Sequence, residues 1–432
     1  MQPDIKERIE KIKRGEVPEG YKKTKIGIIP EDWKVDFLEN HSDIRGRIGW
    51  RGLKQEEYTD EGPYLIAGKH IKSPNIIWDE CDHISIERYK ESMEIALEVG
   101  DVILSKDGSL GNPAYISYLP GKATINSTMM LVRVKSSKLN SKFLYHILNG
   151  KQFERLINEK TSGSSIPHLF QRDMKKFRIQ LPSLNEQQKI AEILSTWDKA
   201  IELKEKLIEE KKKQKKGLMQ LLLTDKKRLP GFKGEWKEVK LKRILKPRKE
   251  KSKITDKLKL YSLTIEDGVT PKTDRYNREF LVKSNDKQYK ITYKNDIVYN
   301  PSNLRFGAIA LNKNEMPVLL SPIYEVLYVE NKNRYCIDFI AHLLTWERNI
   351  RYFATKAEGT LVERMAVKLD AFLNVSFLIP LDIKEQKAIS KILNDIDKEI
   401  SLLIKELEAL KLQKKGLMQL LLTGIVRVKD SE

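Results

Sequence analysis

The eleven residues Gln214–Thr224, QKKGLMQLLLT, recur unchanged at Gln413–Thr423, an offset of 199 positions in a chain of 432. Chance does not produce an identical run of this length, and a repeat dictates architecture before any other signal is read. Weaker matches lie upstream. Glu186-Gln187 aligns with Glu385-Gln386, Ile193-Leu194 with Ile392-Leu393, and Asp198-Lys199 with Asp397-Lys398; Pro182 and Pro380 stand just before each block. Fainter echoes join Asp32-Trp33-Lys34 to Glu235-Trp236-Lys237, Asp101-Val102-Ile103 to Asp296-Ile297-Val298, and Gly163 to Gly359. The chain is two half-molecules in tandem, each a diverged globular part followed by a near-identical tail.

The tails read as helices. Ile389, Leu393, Ile396, Ile400, Leu403, Leu407, Leu410, Lys414, Leu417 and Leu421 follow alternating steps of four and three, the a/d seam of a coiled coil. Ile190, Leu194, Trp197, Ile201, Lys204, Ile208, Lys211, Lys215, Leu218 and Leu222 hold the same offsets in the first tail, whose lysines can cover apolar surface with their stems. A helix of about 38 residues would run roughly 57 Å. Antiparallel packing of two such helices is expected, giving a pseudo-two-fold rod between two heads. Gly217 and Gly416 interrupt each helix at a cost of about 1 kcal/mol. The repeat keeps both, which points to close helix approach or a docking surface, against a harmless kink. Gly217, Leu218, Met219 and Leu222, with Gly416, Leu417, Met418 and Leu421, are the candidate residues for partner docking or helix packing.

Residues 21–180 and 226–378 read as mixed α/β heads. Strand-like runs occur at 101–105, 114–119, 129–134, 291–300, 325–330 and 375–380, with helical patterns at 141–157 and 337–355. Loops rich in Gly, Pro, Asn and Ser, SKDGSLGNP (105–113) and YNPSNLRFG (299–307), follow strands, where binding residues concentrate. The fold class is α/β (α+β): 1–20 an N-terminal arm, 21–180 head one, 181–225 the first repeat helix, 226–378 head two, 379–424 the second repeat helix and 425–432 a tail.

Eighty Lys and Arg against 61 Asp and Glu leave a net charge of +19, which favours a polyanion over a solvated lysine-rich surface. Arg reads guanine bidentately and Asn reads adenine, so the loops carry the chemistry of base edges. The DNA-binding candidates in head one are Arg45, Arg47, Arg51, Lys54, Lys69, Lys106, Asn112, Ser164, His168 and Arg172. Trp50, His70 and Lys72 lie beside them. Those in head two are Arg275, Asn277, Arg278, Asn300, Asn303 and Arg305, with Tyr276 among them. For any single one of these, a solvated surface residue is the competing reading.

An enzyme should show a site. There is no GxxxxGK[ST] loop and no HExxH. Cys81 and His83 lack partner ligands and read as structural. Asn300-Pro301-Ser302-Asn303 lacks the second Pro and the aromatic residue of an adenine-methyltransferase Asn-Pro-Pro-Tyr motif. Asp198, Glu202 and Lys204 mimic a nuclease spacing, but inside a heptad helix. No apolar stretch approaches the ~18 residues that span a bilayer, and the charged start, MQPDIKERIEKIKRG, is not a signal peptide. Two distant cysteines suggest no disulfide framework, so a reducing cytoplasm is the expected compartment.

Two variable heads separated by repeated helices resemble the specificity (S) subunit of type I restriction-modification systems. The carrying motifs are Trp33 and Trp236, the run Gly100–Ser105 with Gly108 and Gly111, Gly163-Ser164, and Leu181-Pro182 leading to Glu186-Gln187-Gln188-Lys189-Ile190. In head two they are Asp296-Ile297-Val298, Gly359-Thr360, and Ile379-Pro380 leading to Glu385-Gln386; Tyr299-Asn300-Pro301 departs from the pattern. The resemblance implies two target recognition domains, each reading one half of an asymmetric bipartite DNA site, with the helices setting the spacer. It implies no catalysis and no cofactor in this chain. Two methyltransferase (M) subunits and restriction (R) subunits would bring S-adenosylmethionine, ATP and Mg.

Overall fold

The computed structural model describes residues 3–47, 53–72, 74–162, 167–272, 287–359 and 365–428. The chain divides into two compact units, Met1–Glu205 with Lys405–Glu432, and Lys206–Ile404. These boundaries fall inside both long helices, so each unit comprises one head and one half of each helix.

In the first unit the central sheet contains β1 (Ser42–Arg45), β2 (Val102–Ser105), β3 (Gly111–Tyr115) and β4 (Met129–Val134), in the order β3-β2-β4-β1. All pairs are antiparallel, with Leu104 opposite Met130 and Ile44 opposite Val132. Side chains alternate along a strand, yet the two central strands, β2 (VILS) and β4 (MMLVRV), read as nearly continuous apolar runs because both faces are covered. Val102, Leu104, Met130 and Val132 join one core with the helices α1 (Ser141–Leu148) and α2 (Lys151–Thr161). Ile103, Met129 and Leu131 join a second core with Ile66, Ile95 and Ile125. Asn140 caps α1 by accepting from Phe143 N at 3.0 Å. A short α3 (Gln171–Lys175) follows, then the 39-residue α4 (Leu184–Leu222).

The second unit repeats this plan with β5 (Leu245–Pro247), β6 (Ile297–Tyr299), β7 (Ile309–Leu311) and β8 (Glu325–Val329), ordered β5-β8-β6-β7. Ile297, Tyr299 and Leu327 face the core beneath α5 (Ile337–Thr345) and α6 (Glu347–Ala354), and Val298 and Val326 face the other. Then come α7 (Leu369–Leu373) and the 40-residue α8 (Ile383–Leu422). In each head an early strand pairs with the last, Lys34–Phe37 with Arg178–Leu181 and Trp236–Lys240 with Ser376–Pro380, which closes the domain on itself.

Each Glu-Gln pair locks its head to a long helix. The Gln187 amide donates to Pro182 O and Lys138 O, and its Oε1 accepts from Asn140 N. Gln386 does the same with Pro380 O, Arg334 O and Cys336 N. Glu186 is buried and accepts from Trp33 Nε1 (3.1 Å) and from Arg427 Nε and an Arg427 terminal nitrogen (both 2.8 Å). Glu385 takes the same bonds from Trp236 and Arg228. The tryptophans and glutamates that carried the family resemblance are therefore structural.

The long helices run antiparallel within each unit. Lys204 meets Glu406 at 2.8 Å and Lys411 meets Glu205 at 2.9 Å in the first; Lys211 meets Glu399 at 2.7 Å and Lys215 meets Asp397 at 2.5 Å in the second. The seam lysines thus bring carboxylate partners from the facing helix. Partly exposed pairs add little stability, but their one-to-one matching opposes slippage of the helices. Every seam position is buried or half-buried. Gly217 and Gly416 are different: both are exposed, and an added Cβ would meet nothing within 4 Å, so close helix approach does not explain them. Met219, Leu222, Met418 and Leu421 are buried in the head cores and pack within the chain.

The repeat loses its identity one residue after Thr423, and geometry gives a reason. Gly424 (φ +69) and Asp225 (φ 57) both end their helices in the left-handed region. A Cβ on Gly424 would lie 2.5 Å from Pro30 Cγ, whereas Asp225 is free to pair with Arg228 at 3.4 Å. Gly424→Ala is expected to cost about 1–3 kcal/mol, and Asp225→Gly to be close to neutral. Thermal melts of the two variants check this; equal losses would contradict it.

The patterns at 141–157 and 337–355 each prove to be two helices. Gly150 breaks the first, and its missing side chain leaves room for Leu422, whose Cδ1 would sit 3.2 Å from a Cβ there. Trp346 takes an extended backbone (ψ 128) and turns its ring into the core of the second. The run 291–300 divides into Tyr289–Thr292 and β6, and the strand expected at 114–119 ends at Tyr115. The turn before each central strand is built around a buried aspartate. Asp101 accepts from Glu98 N and two guanidinium nitrogens of Arg133. Asp296 accepts from Tyr293 N and two nitrogens of Arg248.

Candidate nucleic-acid interface

In both heads the loop leaving the central strand is held by a strap that leads into the short helix. In head one, Leu169 N donates to Lys106 O at 2.9 Å, and Asp107 and His168 form both a β-bridge and a short side-chain contact. In head two, Val367 N donates to Pro301 O at 2.9 Å. Strap and loop thus form one surface built on the rigid sheet, as a binding site needs.

Head one brings several polar groups to this place. A Cβ on Gly46, at the end of β1, would lie 3.4 Å from Gln171 Nε2 and 3.7 Å from Lys106 Nζ. Lys106 and His168 are half-buried, and Gln171 and Arg172 are exposed. The Arg172 guanidinium sits 4.6 Å over the ring of Phe170, itself exposed, and the His168 ring lies 4.3 Å from that ring. Asn112, held at φ 44, donates to Ile71 O at 3.4 Å and so anchors the loop. Lys69 is exposed and pairs with Asp82 at 3.1 Å; a Cβ on the adjacent Gly68 would lie 2.7 Å from Ser105 Oγ, so that segment borders the loop. Lys54 and Arg45 are exposed, Arg45 beside Asp43 at 3.3 Å.

Arg47 is a correction. It is buried, and its guanidinium donates to Ile125 O, Ser92 Oγ and Thr124 Oγ1 at 3.1–3.4 Å. A buried, hydrogen-bonded arginine holds the core together and is not available to a phosphate or base. His70 is likewise buried, with Nδ1 accepting from Ala67 N. Cys81 is buried too, and burial pushes its thiol up to about 12, which makes it inert.

In head two, Asn300 organises the loop: its Oδ1 accepts from Ser302 N, and its carbonyl accepts from Asn303 N and Leu304 N. The turn Leu304–Phe306 ends on Gly307 (φ 99), which lies against Ile350 of α6 and Ile265. This turn presents Asn303 and Phe306 to solvent. The Arg305 guanidinium stacks 4.6 Å over Phe306, and its Nε is buried without a protein partner. Lys368, exposed, stands on the strap immediately before α7. Trp50, Arg51, Gly163, Ser164, Arg275, Tyr276, Asn277 and Arg278 lie outside the described residues.

The fold also brings Phe170, Gln171, Phe306 and Lys368 to these surfaces, none of which the sequence patterns single out. A lone phenylalanine in sequence reads as core; adjacency to an arginine in a loop is the one hint of Phe306.

No described helix is long and apolar enough to cross a membrane. The family model for the type I restriction modification DNA specificity domain matches residues 30–213 and again 233–412. The chain is 28% identical over 443 aligned positions to the type I restriction enzyme MjaVIII specificity subunit of Methanocaldococcus jannaschii, covering 93% of this chain and 95% of that protein. It is 27% identical to the putative MjaX specificity subunit of the same organism, over 95% and 97%. The S subunit of the type I restriction-modification system of M. genitalium shares the fold, with a TM-score of 0.57 at 17% identity over 90% of this chain and 96% of that one. A structure describing complex assembly and conformational transition of a type I system gives 0.54 at 16%, over 92% and 99%. Both halves match the family model over a head and most of its helix, so this chain belongs to the type I restriction-modification specificity family and carries two tandem DNA specificity domains.

Proposed function

We propose that this chain recognises an asymmetric, two-part DNA sequence, one half-site per head, and carries no catalysis of its own. The observation that carries this reading is the duplicated loop-and-strap surface, which has one backbone plan and different side chains in the two heads. Head one offers Lys106, Gln171 and Arg172; head two offers Asn303, Arg305 and Lys368. Different readers on one scaffold give different half-sites. The net charge of +19 supplies the sequence-independent attraction, and the long helices set the gap between half-sites.

The identical tails serve two identical partners, methyltransferase subunits, with restriction subunits joining the assembly in the cytoplasm. Docking belongs to the exposed part of the repeat, Gln214, Lys216, Gly217 and Gln220 with Gln413, Lys415, Gly416 and Gln419, since the apolar part is used within the chain. S-adenosylmethionine, ATP and Mg chemistry resides on those partners. The test is methyl transfer to duplex DNA by the full chain, alone and with its methyltransferase subunits. Transfer is expected only in the second case; transfer by the purified chain alone would overturn the non-catalytic assignment.

A further inference from the structure

We propose that each head reads a two-base step with a preformed arginine–phenylalanine pair, Arg172 with Phe170 in head one and Arg305 with Phe306 in head two; this rests on the DNA-recognition reading above. Both pairs sit on the loop-and-strap surface, and in both the guanidinium lies 4.6 Å from the ring centroid. They reach it from different places in the chain. In head one Phe170 ends the strap, Arg172 lies in the first turn of α3, and the lysine, Lys106, is on the loop. In head two the pair is on the loop and the lysine, Lys368, is on the strap. The same chemistry thus recurs where the local sequence has diverged.

Phe306 is 59% exposed and Phe170 44%. One exposed phenylalanine is unremarkable. Here both exposed phenylalanines of the loop-and-strap surfaces carry a stacked arginine. Cation–π stacking restrains the guanidinium before binding, so less freedom is lost when its planar fork meets an acceptor pair. Guanine N7 and O6 are that pair, and apolar side chains favour the thymine methyl in the same groove. The His168 ring and the Arg172 guanidinium both lie against Phe170, which favours contact through the ring edge, suited to a methyl group, over stacking on a base. Each half-site should therefore contain a guanine set by the arginine and an adjacent thymine set by the phenylalanine.

The experiment is selection from a random duplex pool by the full chain and its Phe306→Ala, Phe306→Leu and Phe170→Ala variants, with thermal melts confirming that each is folded. Phe306→Ala should relax one position, next to a retained guanine, in one half-site, with at least a fivefold loss of preference there and the other half-site unchanged. Phe170→Ala should do this in the opposite half-site, and Phe306→Leu should keep the preference. A wild-type motif that persists unaltered in both alanine variants overturns the pair-reading proposal while leaving DNA recognition standing. If the wild-type chain selects no motif, the recognition reading fails and this proposal with it.

Discussion

Replacing Arg427 by Ala is expected to lower the stability of the first unit by about 2–4 kcal/mol. The arginine makes paired contacts to Glu186 and to Asp32. Its removal leaves Glu186, only 3% exposed, with Trp33 Nε1 and Val428 N as its remaining donors. Removing one partner of a buried pair costs more than the pair contributes, because the other charge stays desolvated. Partial exposure of Arg427 keeps the figure below the full buried-pair range. Burial alone would raise the Glu186 pKa, but hydrogen bonds and charge from Arg427 outweigh it, and the carboxyl lies below its ordinary 4.5. A depressed carboxyl stabilises the fold above its unfolded value and ceases to do so as pH falls through the folded one. The gap between wild type and Arg427→Ala should thus be full at pH 7 and shrink below about pH 4. Denaturant unfolding at the two pH values measures this, and a gap independent of pH would contradict the assignment.

Arg305→Ala should weaken binding to the complete target by roughly 5- to 150-fold and relax selection at one guanine in one half-site, the other remaining intact. Lys368→Ala should act differently, lowering affinity evenly across sequences and reducing the salt slope by about 1. Equilibrium binding to the selected duplex and to its single-base variants, at two ionic strengths, separates the outcomes. An even loss for Arg305→Ala would mean that it contacts phosphate.

How much of this was legible in the sequence depended on how local each signal is. The helices were legible because a seam repeats over ten positions, from Ile389 to Leu421 and from Ile190 to Leu222. Strands such as 129–134 stood out because both faces are buried, leaving an uninterrupted apolar run. Where the helices end was harder. Asn149-Gly150 is a local turn signal, but the room that Gly150 leaves for Leu422, more than 270 residues away in sequence, is reported by no local pattern. Arg228 and Arg427 escaped notice because the identity of the repeat stops just before them, although they occupy equivalent positions and bind equivalent glutamates. Arg47 looked like a surface cation, since sequence does not show that Ile125 O, Ser92 and Thr124 stand around it. Gly, Asn and Arg single out the loops as candidate binding surfaces, but the strap that packs on each arrives from 60 residues downstream or more. Pairing of loop and strap is a tertiary fact, so Gln171 and Lys368 could be found only in the fold.

Sequence selection from a random duplex pool, using the full chain with its methyltransferase subunits at two salt concentrations, tests whether one non-catalytic chain holds two different reading heads. One asymmetric motif in two parts with a fixed gap, retained when salt is raised, is the expected result. Weak binding that vanishes as salt rises, with no motif recovered, would contradict it and leave only phosphate attraction.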